Sequence, residues 1–200
     1  VEECAFNARR LVGHSIGSQA LIRLVERDKP FFDESGGGVT FSGGEPLLQL
    51  EFLLECLALC QKAGLHTAVD TSGYAPAESV LKLLPVTDLF LFDLKIIDPL
   101  EHQAHTGVDN TGILENLRLL DAQGARIWIR VPLVPKMTDS SKNIEAIGAA
   151  VSGLQNVERV SLLPYHGLAA RRSTVALSEE SLVRATRILE KQGLRVHLKG

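Results

Sequence analysis

The sequence predicts an α/β protein built on a parallel sheet, and three observations carry that prediction. Helical and strand patterns alternate along the chain at roughly the spacing of βα units. The strand segments are apolar enough for burial on both faces, as parallel strands covered by helices require. Polar or glycine-rich residues recur at the C-terminal end of one strand after another, the rim where such folds bind ligands. The pattern leaves an open sheet and a barrel equally possible.

Residues 18–27 read as a helix with Leu21, Ile22, Leu24 and Val25 on its apolar face. Gly36, Gly37 and Gly38 release the chain into a short strand, Val39-Thr40-Phe41. Pro46 opens the next helix, where its missing N–H costs little, and Gly64 caps that helix after Ala63. Residues 66–70 form a strand and 77–84 a helix; 89–94 form a strand whose apolar run is broken by Asp93. A helix over 112–123 is closed by Gly124, and 126–131 is a strand. Helix 143–151, strand 157–163, helix 179–191 and strand 194–198 complete the alternation. No low-complexity segment, linker or close repeat interrupts it.

Five consecutive strands deliver polar chemistry at their C-terminal ends. These are Ser42-Gly43-Gly44-Glu45-Pro46, Asp70-Thr71-Ser72-Gly73, Asp93-Leu94-Lys95, Arg130-Val131-Pro132 and Pro164-Tyr165-His166. The glycine pair reads either as a tight turn into a helix or as backbone left open to a ligand. Asp70 and Asp93 end neighbouring apolar strands, where an unpaired carboxylate is expensive. They are expected either to pair with Lys95 or Arg130, or to bind a cation or the amino and hydroxyl groups of a ligand. His166 is the histidine best placed for ligand contact. His66 opens a strand at the opposite rim and reads as structural, and His102 and His105 lie on a polar segment expected to face solvent. No GxGxxG or Walker pattern occurs, which argues against dinucleotide binding or nucleotide hydrolysis.

Two hundred residues suit one domain with a sizeable core. Hydrophobic residues at 45% and charged residues at 22% are ordinary for a globular protein. A net charge of −3 without any basic tract gives no case for nucleic acid. The apolar runs are too short for a membrane span, and the start carries no signal-peptide pattern. Cys4, Cys56 and Cys60 are too few for a disulfide framework, so a reducing, cytoplasmic setting is expected. Cys56 and Cys60 share one helix face and read as core packing.

The motifs also resemble a known family. Residues 38–46, GVTFSGGEP, followed by 66–73, HTAVDTSG, then Asp93-Leu94-Lys95, Arg130-Val131-Pro132-Leu133 and Leu162-Leu163-Pro164-Tyr165-His166 resemble the activating enzymes of glycyl radical enzymes. Those belong to the radical S-adenosylmethionine (SAM) superfamily, and the resemblance covers about residues 1–166. It implies a partial parallel (β/α) barrel, here lacking the first strand, that binds SAM beside a 4Fe–4S cluster. The reduced cluster would cleave SAM to methionine and a 5′-deoxyadenosyl radical, which takes hydrogen from a glycine of a partner such as pyruvate formate-lyase. A flavodoxin or ferredoxin would supply the electron. By the same resemblance, Gly43, Gly44 and Glu45 hold the methionine amino group through their backbone. Asp93, Leu94, Lys95, Arg130 and His166 match SAM-contacting positions, and Asp70, Thr71 and Asp93 match a monovalent-cation site.

One departure stands out: the family's CxxxCxxC motif, whose three thiolates leave one iron open for SAM, is absent. Residues 1–15 resemble the tail of a ferredoxin-like insert, with Cys4 an orphan ligand of an auxiliary cluster and residues 16–200 the partial barrel. The chain is therefore expected to be a fragment, inactive alone, with an exposed sheet edge that invites association. Two other readings stand beside it. One is a non-catalytic remnant that binds SAM or the partner; the other is a barrel aldolase or isomerase that uses Asp70, Asp93 and His166 on a divalent metal.

Overall fold

The computed structural model describes residues 14–165 and 177–198. In chain order the elements are α1 (Ser18–Val25), α2 (Lys29–Ser35), β1 (Gly38–Phe41), α3 (Leu50–Lys62), β2 (His66–Thr71), α4 (Ala77–Leu83) and β3 (Leu89–Asp93). They continue with α5 (Pro99–Thr106), α6 (Thr111–Ala122), β4 (Ile127–Leu133), α7 (Ser141–Val151), β5 (Val157–Pro164), α8 (Glu179–Lys191) and β6 (Val196–His197). The strands make one sheet in the order β1-β2-β3-β4-β5-β6, with every neighbouring pair parallel. Parallel neighbours need long crossovers, which here are helical. β1 and β6 lie at opposite edges, so the ladder does not close, as a partial barrel requires.

β4 shows how the sequence separates the two faces. Ile127, Ile129, Val131 and Leu133 are buried, while Trp128, Arg130 and Pro132 on the other face are half-buried. The buried face meets the helices in one continuous core that includes Val69, Phe90, Phe92, Leu57, Leu120 and Ile147. Each such side chain contributes about 1.5–3 kcal/mol on burial. A smaller cluster of Ile22, Cys56, Cys60 and Leu65 packs α1 against α3. Both cysteines are free and wholly buried, as expected from their spacing, and burial pushes the Cys60 thiol up to about 11.

The structure corrects the sequence reading in three places. α2 and α5 form where no helix was expected. Both are short, and their signals were at the ends rather than in an apolar stripe: Pro30 and Pro99 in the first turn, then Gly36 and Gly107 in left-handed conformation just past the end. Asp98 completes α5 by accepting hydrogen bonds from the Leu100 and Glu101 amides, each at 3.1 Å. His102, expected in solvent, is buried because α5 turns it inward. Its Nδ1–H donates to the Val108 carbonyl at 2.8 Å, tying the helix to the following loop. The last strand is shorter than expected, since only Val196 and His197 pair with β5. Among the described residues no helix is long and apolar enough to cross a membrane.

Candidate functional site

The strand register assembles the site. Asp70 of β2 lies opposite Leu91 of β3, and Asp93 of β3 lies opposite Arg130 of β4. Because side chains alternate, Asp70, Leu91, Asp93 and Arg130 share the face turned away from the helices. There Arg130 pairs with Asp70 through Nη1 and approaches Asp93 at 3.7 Å through Nε. Lys95 Nζ donates to Asp93 Oδ2 at 3.2 Å, and Ser42 Oγ donates to Asp70 Oδ2 at 2.9 Å. Pairing of both aspartates with Lys95 and Arg130, one of the two expectations, is therefore realised on the ligand-facing rim.

The cluster is not closed on itself. Among the described residues Asp93 Oδ1 and Arg130 Nε have no hydrogen-bond partner although both atoms are buried. Burial pushes the Asp93 carboxyl above its ordinary range, and Lys95 and then Arg130 only partly counter this. Buried polar groups are normally satisfied, and here the two face each other at 3.7 Å, an ion pair stretched beyond hydrogen-bond length.

Gly43 and Gly44 run exposed beside this cluster. Gly43 adopts φ +137°, a conformation open to glycine and strained for other residues, and a Cβ at either position would meet nothing within 4 Å. Their backbone is thus free to approach a ligand. Glu45 behaves differently. Its Oε1 accepts from the Thr71 hydroxyl at 2.6 Å and the Leu47 amide at 3.3 Å, and its Oε2 accepts from the Ser72 amide at 2.9 Å and hydroxyl at 2.6 Å. The Thr71 hydroxyl, placed by resemblance at a cation site, is committed to Glu45 and to the Gly73 amide. Leu94 is buried and lines a neighbouring cavity of 250 Å³ that shares Ser72, Asp93 and Lys95 with this rim.

These segments enclose a cavity of 470 Å³ lined by Ser42, Gly43, Gly44 and Glu45, by Asp70, Thr71 and Ser72, and by Asp93, Lys95 and Arg130. That volume falls in the range of about 300–1,000 Å³ typical of small-molecule sites. Open backbone, two carboxylates and two cations can together hold a zwitterion such as an amino-acid head group. Among the described residues no group of three His, Cys, Asp or Glu side chains forms a metal cluster. His166 and Cys4 lie outside the described residues.

Residue-by-residue reading missed the supports beneath the rim. Asn116 donates to the Gly73 and Ala75 carbonyls, and Asn110 to those of Ile96 and Ile97. Asn143 donates to the Lys95 and Thr138 carbonyls and accepts from the Ile97 amide. All three are buried. The signal was present: Asn116 falls on the apolar stripe of Ile113, Leu117 and Leu120, where a polar side chain must find partners.

Comparison with known proteins identifies the family. The model of the radical SAM superfamily matches residues 4–145. A pyruvate formate-lyase-activating enzyme of Clostridium pasteurianum is 44% identical over 156 residues, covering 78% of this chain and 65% of the relative. Pyruvate formate-lyase 1-activating enzyme of Escherichia coli K12 is 37% identical over 170 residues, covering 84% and 69%. The crystal structure of a domain of pyruvate-formate lyase-activating enzyme from Bacteroides vulgatus superposes with a TM-score of 0.74 at 37% identity, covering 82% of this chain and 99% of that one. The chain spans about half to two thirds of the length of the curated relatives it matches.

Proposed function

The chain belongs to the radical SAM superfamily, among the activating enzymes of glycyl radical enzymes, and from that premise we propose that it binds SAM in the 470 Å³ cavity and serves to activate a glycyl radical enzyme. The observation that carries this reading is the convergence of the Gly43-Gly44 backbone, Asp93, Lys95 and Arg130 on one cavity.

The residues present fit SAM. The open backbone at Gly43 and Gly44 would take the methionine ammonium through carbonyl oxygens, and Lys95 and Arg130 would take its carboxylate. Asp93 lines the same cavity and would be within reach of a ligand donor. Asp70 pairs with Arg130 at the same cavity, and with Thr71 and Asp93 it is the candidate seat for a monovalent cation. Bound SAM would supply the hydrogen-abstracting 5′-deoxyadenosyl group. His166 joins this set by resemblance.

The cysteines do not fit a 4Fe–4S cluster. Cys56 and Cys60 are wholly buried behind the sheet with raised thiol pKa values, so neither presents a thiolate to the cavity. A glycyl radical enzyme of the pyruvate formate-lyase kind as partner, a flavodoxin or ferredoxin as electron donor, and a cytoplasmic setting complete the proposal. The names of the relatives support the partner, and two free buried thiols support the reducing setting.

Equilibrium dialysis of the 200-residue chain with labelled SAM tests the reading. Saturable binding that Arg130→Met weakens is expected. No binding of SAM, with tight binding of a divalent metal instead, would overturn it in favour of the aldolase or isomerase reading. Anaerobic reconstitution with iron and sulfide followed by an assay for 5′-deoxyadenosine tests the cysteines. Cleavage of SAM by this chain alone would overturn the statement that they do not fit.

A further inference from the structure

We propose that the Glu45 carboxylate is a positioning group that sets the Gly43-Gly44 backbone, and that it is not itself a ligand for the bound molecule; the inference rests on the assignment of that cavity to SAM. Its premise is where the sheet stops. β1 and β2 pair in register from Gly38 and His66 up to Phe41 and Val69. Beyond that point Ser42 to Glu45 and Asp70 to Ser72 run side by side with no ladder between them, yet these two segments form one wall of the cavity.

Side chains replace the ladder there. Glu45 reaches across and accepts from the Thr71 hydroxyl, the Ser72 amide and the Ser72 hydroxyl. It also accepts from the Leu47 amide, capping the 3-10 turn that Pro46 begins. Both hydroxyls are held in turn: Thr71 Oγ1 accepts from the Gly73 amide at 2.9 Å, and Ser72 Oγ from the Tyr74 amide at 3.3 Å. Four donors thus share two carboxylate oxygens, two to each. No Lys, Arg or His forms an ion pair with Glu45 among the described residues.

Two consequences follow. A carboxylate occupied at both oxygens by short, partly buried hydrogen bonds would have to abandon a backbone N–H or a hydroxyl to meet a ligand ammonium. Each abandoned donor carries its own desolvation cost. Meanwhile Gly43 and Gly44, with no side chain to pack and one positive φ, have little of their own to fix their conformation. Glu45 is the adjoining residue that is anchored on both sides, so the position of the glycine carbonyls is inherited from it.

A double-mutant cycle of Glu45→Gln and Thr71→Val, read by SAM affinity in dialysis and by amide hydrogen exchange, tests this. Gln cannot accept at both ends, and Val removes the hydroxyl while keeping the shape of a buried side chain. Each single change is expected to weaken SAM binding about tenfold, the weight of a hydrogen bond to a charged group. The double variant is expected to be no weaker than the worse single, because both break one buckle. Exchange at Ser72 should quicken in both singles, and the Gly43 and Gly44 amide resonances should shift in both. Additive losses, or a large loss in Glu45→Gln with none in Thr71→Val, would show that the carboxylate touches the ligand and would overturn the proposal. If Glu45→Gln does not unfold cooperatively, Ser72→Ala takes its place in the cycle. If the wild-type chain retains no SAM, it is the functional reading that fails; the Ser72 exchange and the glycine resonances then decide the buckle alone.

Discussion

Gly73→Ala is expected to be the most damaging single-methyl change near the rim. Gly73 sits at φ +72°, so any Cβ is strained there by about 1–2 kcal/mol. The new methyl would also lie 2.6 Å from Phe92 Cε2 and closer still to Cζ. Phe92 is wholly buried in the main core, so the overpacking adds about 1–3 kcal/mol. Together the loss is about 2–5 kcal/mol, a large share of the ~5–15 kcal/mol that holds a domain together. Gly64→Ala is the control, since Gly64 has φ +66° but open space around its Cβ position, and it should lose only the strain, about 1 kcal/mol. Equilibrium unfolding in urea measures both, followed by the fluorescence of Trp128, the single tryptophan. Adding Phe92→Leu to Gly73→Ala should recover at least ~1 kcal/mol against the sum of the singles, because it removes the atoms the methyl strikes. If Gly73→Ala costs no more than Gly64→Ala, or if Phe92→Leu recovers nothing, the steric argument is wrong.

Three further outcomes are expected. Because burial holds the Asp93 carboxyl above its ordinary 3.8, the native state binds that proton more tightly than the unfolded chain. The resulting stability is present below about pH 3.8 and is lost as pH rises through the raised native value. Asp93→Asn should therefore gain on the wild type between pH 3.5 and 7 in urea unfolding, and a constant difference would contradict the shift. Asn143→Ala removes three hydrogen bonds that pin the backbone at Lys95, Ile97 and Thr138, and should cost about 2–3 kcal/mol in the same assay. Cys56 and Cys60 should react with a thiol reagent only at the rate of unfolding, since both are inaccessible and burial pushes the Cys60 thiol up to about 11; rapid labelling located at either of these two positions in a Cys4→Ser chain would contradict their burial.

How much of this was legible beforehand depended on the kind of signal each element carried. β1 to β5 and the longer helices announced themselves through periodicity, because each buries one whole face or stripe. α2 and α5 did not, because unlike the equally short α1 and α4 they bury no apolar stripe: α2 buries no residue and α5 only His102. Their proline starts and glycine ends were readable, and weighing caps above periodicity would have found both and turned His102 inward. The rim residues were legible through strand-end position alone, which placed Asp70, Asp93, Lys95 and Arg130 together correctly. Their pairing was not, because whether Arg130 meets Asp70, Asp93 or a ligand depends on register, a relation between distant segments. Asn110, Asn116 and Asn143 escaped for a related reason: their partners are backbone carbonyls, which no side-chain motif advertises.

The charge arithmetic of the cavity ties these levels together. Asp70 and Asp93 bring two negative charges, Lys95 and Arg130 two positive ones, and the sheet register places all four on one rim. An unbalanced set at this depth would relieve itself by a change of protonation. A balanced one can stay ionised without a ligand, and it can trade an internal pair for a ligand pair without burying net charge. A zwitterionic head group suits that exchange better than a lone anion or cation, since its ammonium and carboxylate replace what each aspartate and each cation would give up. The 3.7 Å contact between Arg130 Nε and Asp93 Oδ1 is the longest link of the set, already too long to be a hydrogen bond. Asp70, held by both Arg130 and Ser42, is therefore tied by two hydrogen bonds, and Asp93 by the one from Lys95.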